Sequence, residues 1–182
     1  MMFDSVMAGF GGQGILSAGM MLAHMAASQD YHVTWFPSYG AEQRGGTANC
    51  NVVISDMEIG SPIVTRPGHG IIMNMPSFQK FEPRFAEGAK AVLDTALVGK
   101  EAITRQDVKF YGIGASDIAR ELGNIKVANM VMIGALLSVS ELFTLETACS
   151  ALKHALPEKH HHLIPLNEEA LRKGFAQNSL LN

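Results

Sequence analysis

The chain has 182 residues, 47% of them apolar and 17% charged, with a formal net charge of −3. That is enough for one sizeable hydrophobic core and argues for a single globular domain over residues 1–182, which excludes a disordered segment. The basic residues are scattered rather than striped, so neither nucleic acid nor an anionic membrane has an electrostatic case as a partner.

In chain order, Phe3, Val6, Met7 and Ala8 form a short apolar run fit for a buried strand. Asp4 interrupts it, no signal peptide is visible, and no apolar stretch reaches the ~18 residues of a membrane span, so a cytoplasmic protein is expected. Gly9, Gly11 and Gly14 then fall at G-x-G-x-x-G spacing, with Gly12 and Gln13 between them. Ile15, Leu16, Ala18, Met20, Met21, Leu22, Met25 and Ala26 continue too long for a strand and predict a mostly buried helix. Strand, glycine turn and helix is the context in which such a turn grips a phosphate: glycine admits close backbone approach, and the helix N-terminus offers free N–H groups and a positive dipole end. Tight packing alone is the alternative reading of the same glycines.

The second strand reads His32-Val33-Thr34-Trp35-Phe36 and carries no acid at its end for ribose hydroxyls; Asp30 lies at the wrong end and Glu42 only after a loop. Ordinary NAD binding loses most of its support there, and a self-sufficient nucleotide-dependent oxidoreductase with a Rossmann-like site stands as the alternative function. Residues 37–46 mix turn formers with Tyr39, Glu42, Arg44, Gly45 and Gly46, a loop leaving the same sheet edge as the glycine turn. Arg44 is placed to meet a phosphate or carboxylate, with Glu42 as a neighbour; a solvated Arg–Glu pair is the alternative.

Residues 47–54 predict a strand, with a turn at Ser55-Asp56 and a short return strand around Ile63-Val64. Further strands are expected at 71–75, 91–94 and 109–113, and a helix opening with Pro76 at its first position and carrying Phe78, Phe81 and Phe85. Ser116 or Asp117 is the expected cap of a helix that stops at Gly123. Residues 127–142 are apolar on every side, as in a helix buried all round, and helices follow at 145–156 and 166–177. Cys50 and Cys149 stand alone, so no cluster or zinc knuckle is built here; the neighbours His160, His161 and His162 point apart, and no metal site is assigned. Eleven methionines suit a Met-rich core or a surface that another subunit covers.

The glycine block 9–14, the block 37–49 with 55–63, and the block 123–135 together resemble the gamma subunit of 2-oxoacid:ferredoxin oxidoreductases, of 2-oxoglutarate or ketoisovalerate type. The resemblance implies a three-layer α/β/α, Rossmann-like, mostly parallel sheet with an antiparallel hairpin, like domain III of pyruvate:ferredoxin oxidoreductase. It implies oxidative decarboxylation of a 2-oxoacid to acyl-CoA, with thiamine diphosphate, Mg and iron–sulfur clusters in alpha and beta partner subunits and electrons passing to ferredoxin through the complex. No catalytic residue is expected in this chain, which has no Gly-Asp-Gly signature for a diphosphate–Mg site. Coenzyme A is the ligand expected at Gly9, Gly11, Gly12, Gln13, Gly14, Tyr39, Glu42, Arg44, Gly45 and Gly46; an assembly role without ligand is the rival. The isolated chain is expected to be inactive and to self-associate through the surface its partners would cover.

Overall fold

A computed structural model describes residues 1–39 and 46–182. In chain order it gives β1 (Met2–Phe10), α1 (Ile15–Ala27), β2 (His32–Tyr39), β3 (Thr47–Ser55), β4 (His69–Ile72), α2 (Met75–Phe81), β5 (Lys90–Asp94), β6 (Lys109–Ile113), α3 (Ala115–Glu121), α4 (Ala128–Ser140), α5 (Leu145–Ala155), α6 (Ile164–Gln177) and β7 (Ser179–Leu180). Among the described residues, the strands form one seven-stranded sheet in the order β2-β3-β1-β4-β5-β6-β7. β1, β4, β5 and β6 run parallel, while β3 is antiparallel to both β1 and β2, and β7 to β6. Five strands therefore point one way, and the α/β architecture with an antiparallel contribution is as expected.

The period-two alternation of β1 divides the core. Phe3 and Met7 face a thick layer built from α1, α3, α4, α5 and α6, while Val6 and Ala8 face a thin one. In the thin layer Phe78 and Phe85 meet Phe110 edge-on, with ring centroids 5.5 and 6.1 Å apart. Helix α4 is the centre of the thick layer, and the chain's own helices and sheet cover it, so its all-round apolarity needs no second subunit.

Three local expectations fail, the first two for a tertiary reason and the third for a local one. No strand forms around Ile63-Val64: β3 is already paired on both sides, which leaves no edge for a return strand. Neither Ser116 nor Asp117 caps α3; instead the Asp94 carboxylate at the end of β5 accepts the Ser116 N–H at 3.2 Å and its hydroxyl at 2.5 Å. Pro76 is the second residue of α2, whose cap is Asn74, accepting the Ser77 N–H at 2.8 Å. The stop at Gly123 holds, in the left-handed region at φ 82°.

Candidate functional site

The turn between β1 and α1 lies at the carboxyl edge of the sheet. Pairing of Phe10 with Thr47 and of Tyr39 with Ala48 brings the ends of β1 and β2 to that same edge, with the start of β3 between them. The intervening strand matters. It sets β2 about 10 Å from β1, twice the ~4.8 Å strand spacing, so the end of β2 is removed from the position a dinucleotide's ribose would need.

Within the turn, Gly12 (φ 100°) and Gly14 (φ 74°) occupy the left-handed region. Gly14 is the N-cap of α1 and offers no side-chain oxygen, so the first helical amides are left to other acceptors. The Gly11 N–H donates to the Gly46 carbonyl at 2.9 Å and the Gln13 N–H to the Phe10 carbonyl at 3.1 Å. Among the described residues, the amides of Gly12, Gly14, Ile15, Leu16 and Ser17 have no acceptor. The set able to face an anion is thus narrower at Gly11 and Gln13 than expected, and it extends further into the helix.

These amides border an open cleft of about 490 Å³ lined by Phe10, Gly11, Gly12, Gly14, Ile15, Leu16, Ser17 and Ala48. A Cβ at Gly12 would meet no atom of the described residues within 4 Å. Gly9 is packed: a Cβ there would come within 2.6 Å of the Gln13 Oε1 and 2.8 Å of Ile15. Gln13 turns inward. Its Oε1 accepts the Phe10 N–H at 2.6 Å and its Nε2 donates to the Met73 carbonyl at 3.0 Å, tying the turn to the β4–α2 connection. Its side chain is a strut of the turn rather than a group aimed at the cleft.

Gly46 joins the site through its carbonyl, and the backbone of Tyr39 ends β2 at the same edge. Glu42, Arg44 and Gly45 lie outside the described residues. Sequence reasoning missed Phe10, Ile15, Leu16, Ser17 and Ala48 as lining residues, although Ser17 stands in the first helical turn, where the spacing alone would place its N–H toward an anion.

Away from the turn, His69 opens β4 at the opposite edge of the sheet and stacks on Phe3 with centroids 4.3 Å apart. Burial holds its imidazole below the usual histidine range, the Asp4 carbonyl and carboxylate oppose this, and Lys90 reinforces it. Among the described residues, no group of three His, Cys, Asp or Glu side chains is arranged to hold a metal ion, and no helix is long and apolar enough to cross a membrane.

Residues 4–177 match the family model described as pyruvate ferredoxin/flavodoxin oxidoreductase. The chain is 41% identical over 132 residues to the ketoisovalerate oxidoreductase subunit VorA of Methanothermobacter marburgensis, covering 72% of this chain but 27% of that one. It therefore spans about a quarter of the length of the VorA relatives that it matches. To the 2-oxoglutarate synthase subunit KorC of Methanocaldococcus jannaschii it is 34% identical over 154 residues, covering 84% of this chain and 82% of the relative. Among solved structures, the gamma subunit of a keto/oxoacid ferredoxin oxidoreductase from Geobacter sulfurreducens superposes with a TM-score of 0.80 at 26% identity, covering 95% and 96% of the two chains. The 2-oxoglutarate:ferredoxin oxidoreductase of Magnetococcus marinus, described with 2-oxoglutarate, coenzyme A and succinyl-CoA bound, superposes with a TM-score of 0.82 at 26% identity over 96% of this chain and 30% of that one.

Proposed function

The chain belongs to the pyruvate ferredoxin/flavodoxin oxidoreductase family, and from that premise we propose that it serves as the gamma subunit of a 2-oxoacid:ferredoxin oxidoreductase, assisting assembly and binding coenzyme A at the glycine turn. The observation that carries the ligand is the row of amides at Gly12, Gly14, Ile15, Leu16 and Ser17 that have no acceptor among the described residues, beside an open cleft. A phosphate oxygen fits them: it is an acceptor only, it completes N–H groups that the helix leaves bare, and it sits at the positive end of the α1 dipole. In this reading the chain binds and orients the phosphorylated end of coenzyme A. Partner subunits hold thiamine diphosphate, Mg and iron–sulfur clusters, which supply the decarboxylation and electron transfer toward ferredoxin.

The preferred 2-oxoacid is 2-oxoglutarate, with a branched-chain 2-oxoacid next. Supporting the first is the KorC relative, which the chain matches over 82% of its length, against 27% of the VorA relative. The substrate pocket would be built largely by the other chains. Purification of the native complex followed by viologen reduction with a panel of 2-oxoacids tests this: 2-oxoglutarate should give the highest kcat/KM, and a branched-chain acid giving it would move the assignment.

For the ligand, isothermal titration of coenzyme A into the whole complex is the direct test. Ser17→Asp places a carboxylate in the exposed first turn of α1, where it favours the helix but repels a phosphate. Affinity for coenzyme A should fall roughly tenfold or more while the melting temperature holds. Arg44→Ala should also weaken binding. Unchanged affinity in both variants would leave the turn as an assembly element.

A further inference from the structure

The carbonyl of Gly14 faces a residue 115 positions away. Asn129, in the first turn of α4 and 6% exposed, donates its Nδ2 to the Gly14 oxygen at 3.2 Å. That oxygen also accepts the Ala18 N–H at 2.9 Å, so both of its lone pairs are engaged. The fit is close on the other side too, because a Cβ at Gly14 would stand 2.6 Å from the Asn129 amide nitrogen. Gly14 C=O and Ile15 N–H belong to one planar peptide unit, and Ile15 N–H has no acceptor among the described residues. A donor held on that carbonyl fixes the plane in which the Ile15 N–H points and polarises it toward a stronger donor. Without it, only the Ala18 N–H restrains the carbonyl of a glycine at φ 74°, and the peptide plane is held less tightly.

We infer that Asn129 is a positioning residue for the anion site, acting through the Gly14–Ile15 peptide and touching no ligand itself. The inference rests on the reading of the turn as a phosphate site but is tested apart from it. Two variants serve. Asn129→Asp keeps the shape and replaces the donor by an acceptor against a carbonyl; Asn129→Leu keeps the volume and removes the donor, and carries the test should the aspartate variant not fold. Asn167→Leu is the control: Asn167 is another asparagine buried at 7%, donating to the Leu163 carbonyl at 2.7 Å in α6, remote from the turn.

In the ¹⁵N-labelled full chain, the resonances of Gly12, Gly14, Ile15, Leu16 and Ser17 should move in both Asn129 variants and stay in place in Asn167→Leu, with melting temperatures comparable across the three. In the assembled complex, KM for coenzyme A should rise roughly tenfold with kcat changed less than about twofold, as loss of an oriented charge-facing hydrogen bond predicts. Folded Asn129 variants that leave all five resonances at their wild-type positions overturn the inference, whatever coenzyme A does. Resonances that move while the coenzyme A KM does not would also overturn it, leaving Asn129 a packing neighbour of the turn, while the Ser17→Asp titration decides separately whether coenzyme A binds there.

Discussion

At the scale of single residues, the glycine turn is governed by packing. Gly14 shows this most directly: alanine there meets a positive φ and the Asn129 side chain together, so Gly14→Ala should lower stability by about 2–3 kcal/mol, read as the urea midpoint shift at constant slope. Cys50 is likewise a packing residue. It lies under α1 with its sulfur 3.6 Å from the Ile15 carbonyl, and burial pushes the thiol up to about 12. Alkylation at pH 8 should leave Cys50 unmodified in the folded chain and modify both cysteines in denaturant. Labelling of native Cys50 at the rate of a free thiol would contradict its placement. Asn74 and Gln13 complete the picture, joined by a 3.4 Å hydrogen bond that links the cap of α2 to the glycine turn.

At the scale of elements, α4 and α6 pack backbone against backbone. A Cβ on Gly134 would run into the Leu171 carbonyl and one on Gly174 into the Val131 carbonyl, so each helix lies against the other's backbone. Neither neighbour is a flexible side chain that can move aside. Gly174→Ala should therefore cost upwards of about 3 kcal/mol, through separation of the two helices, while Gly88→Ala, at φ 75° but in open space, should cost about 1–2 kcal/mol. Thermal unfolding of the pair checks the ranking, and equal losses would refute the backbone contact. Helix α4 thus carries both this crossing and Asn129.

Across the whole molecule, the carboxyl edge of the sheet holds the bare amides while the amino edge holds His69, Phe3 and Lys90. The Lys90 ammonium donates to the Val139 carbonyl at 2.6 Å near the end of α4 and discourages a second positive charge on His69. With the folded imidazole held below its unfolded value, the unfolded chain binds the proton first as pH falls. Stability is present above the ordinary histidine pKa of about 6.5 and is lost on acidification through the lowered one. Urea titrations between pH 7.5 and 5 should show a slope of up to about 1.4 kcal/mol per pH unit that His69→Gln reduces. A slope unaltered by that substitution would place the sensitivity elsewhere.

The strand, glycine turn and helix at the start of the chain were legible because local spacing dictates them, and so were the buried run of α4 and the stop at Gly123. Spacing also disclosed that β2 ends without an acid. Strand neighbours lay beyond its reach: β3 enters between β1 and β2, a choice made by pairing between distant segments, and that choice displaced the end of β2 and denied the 63–64 segment an edge. The same holds for the groups around the turn. Asp94 caps α3 across 22 residues and Asn129 reaches Gly14 across 115, distances along the chain at which no periodicity operates. Local order is written in the alternation of apolar and polar residues and in glycine's freedom, whereas the partners of each exposed amide are decided only when the layers close and fix which donors lie within 3 Å.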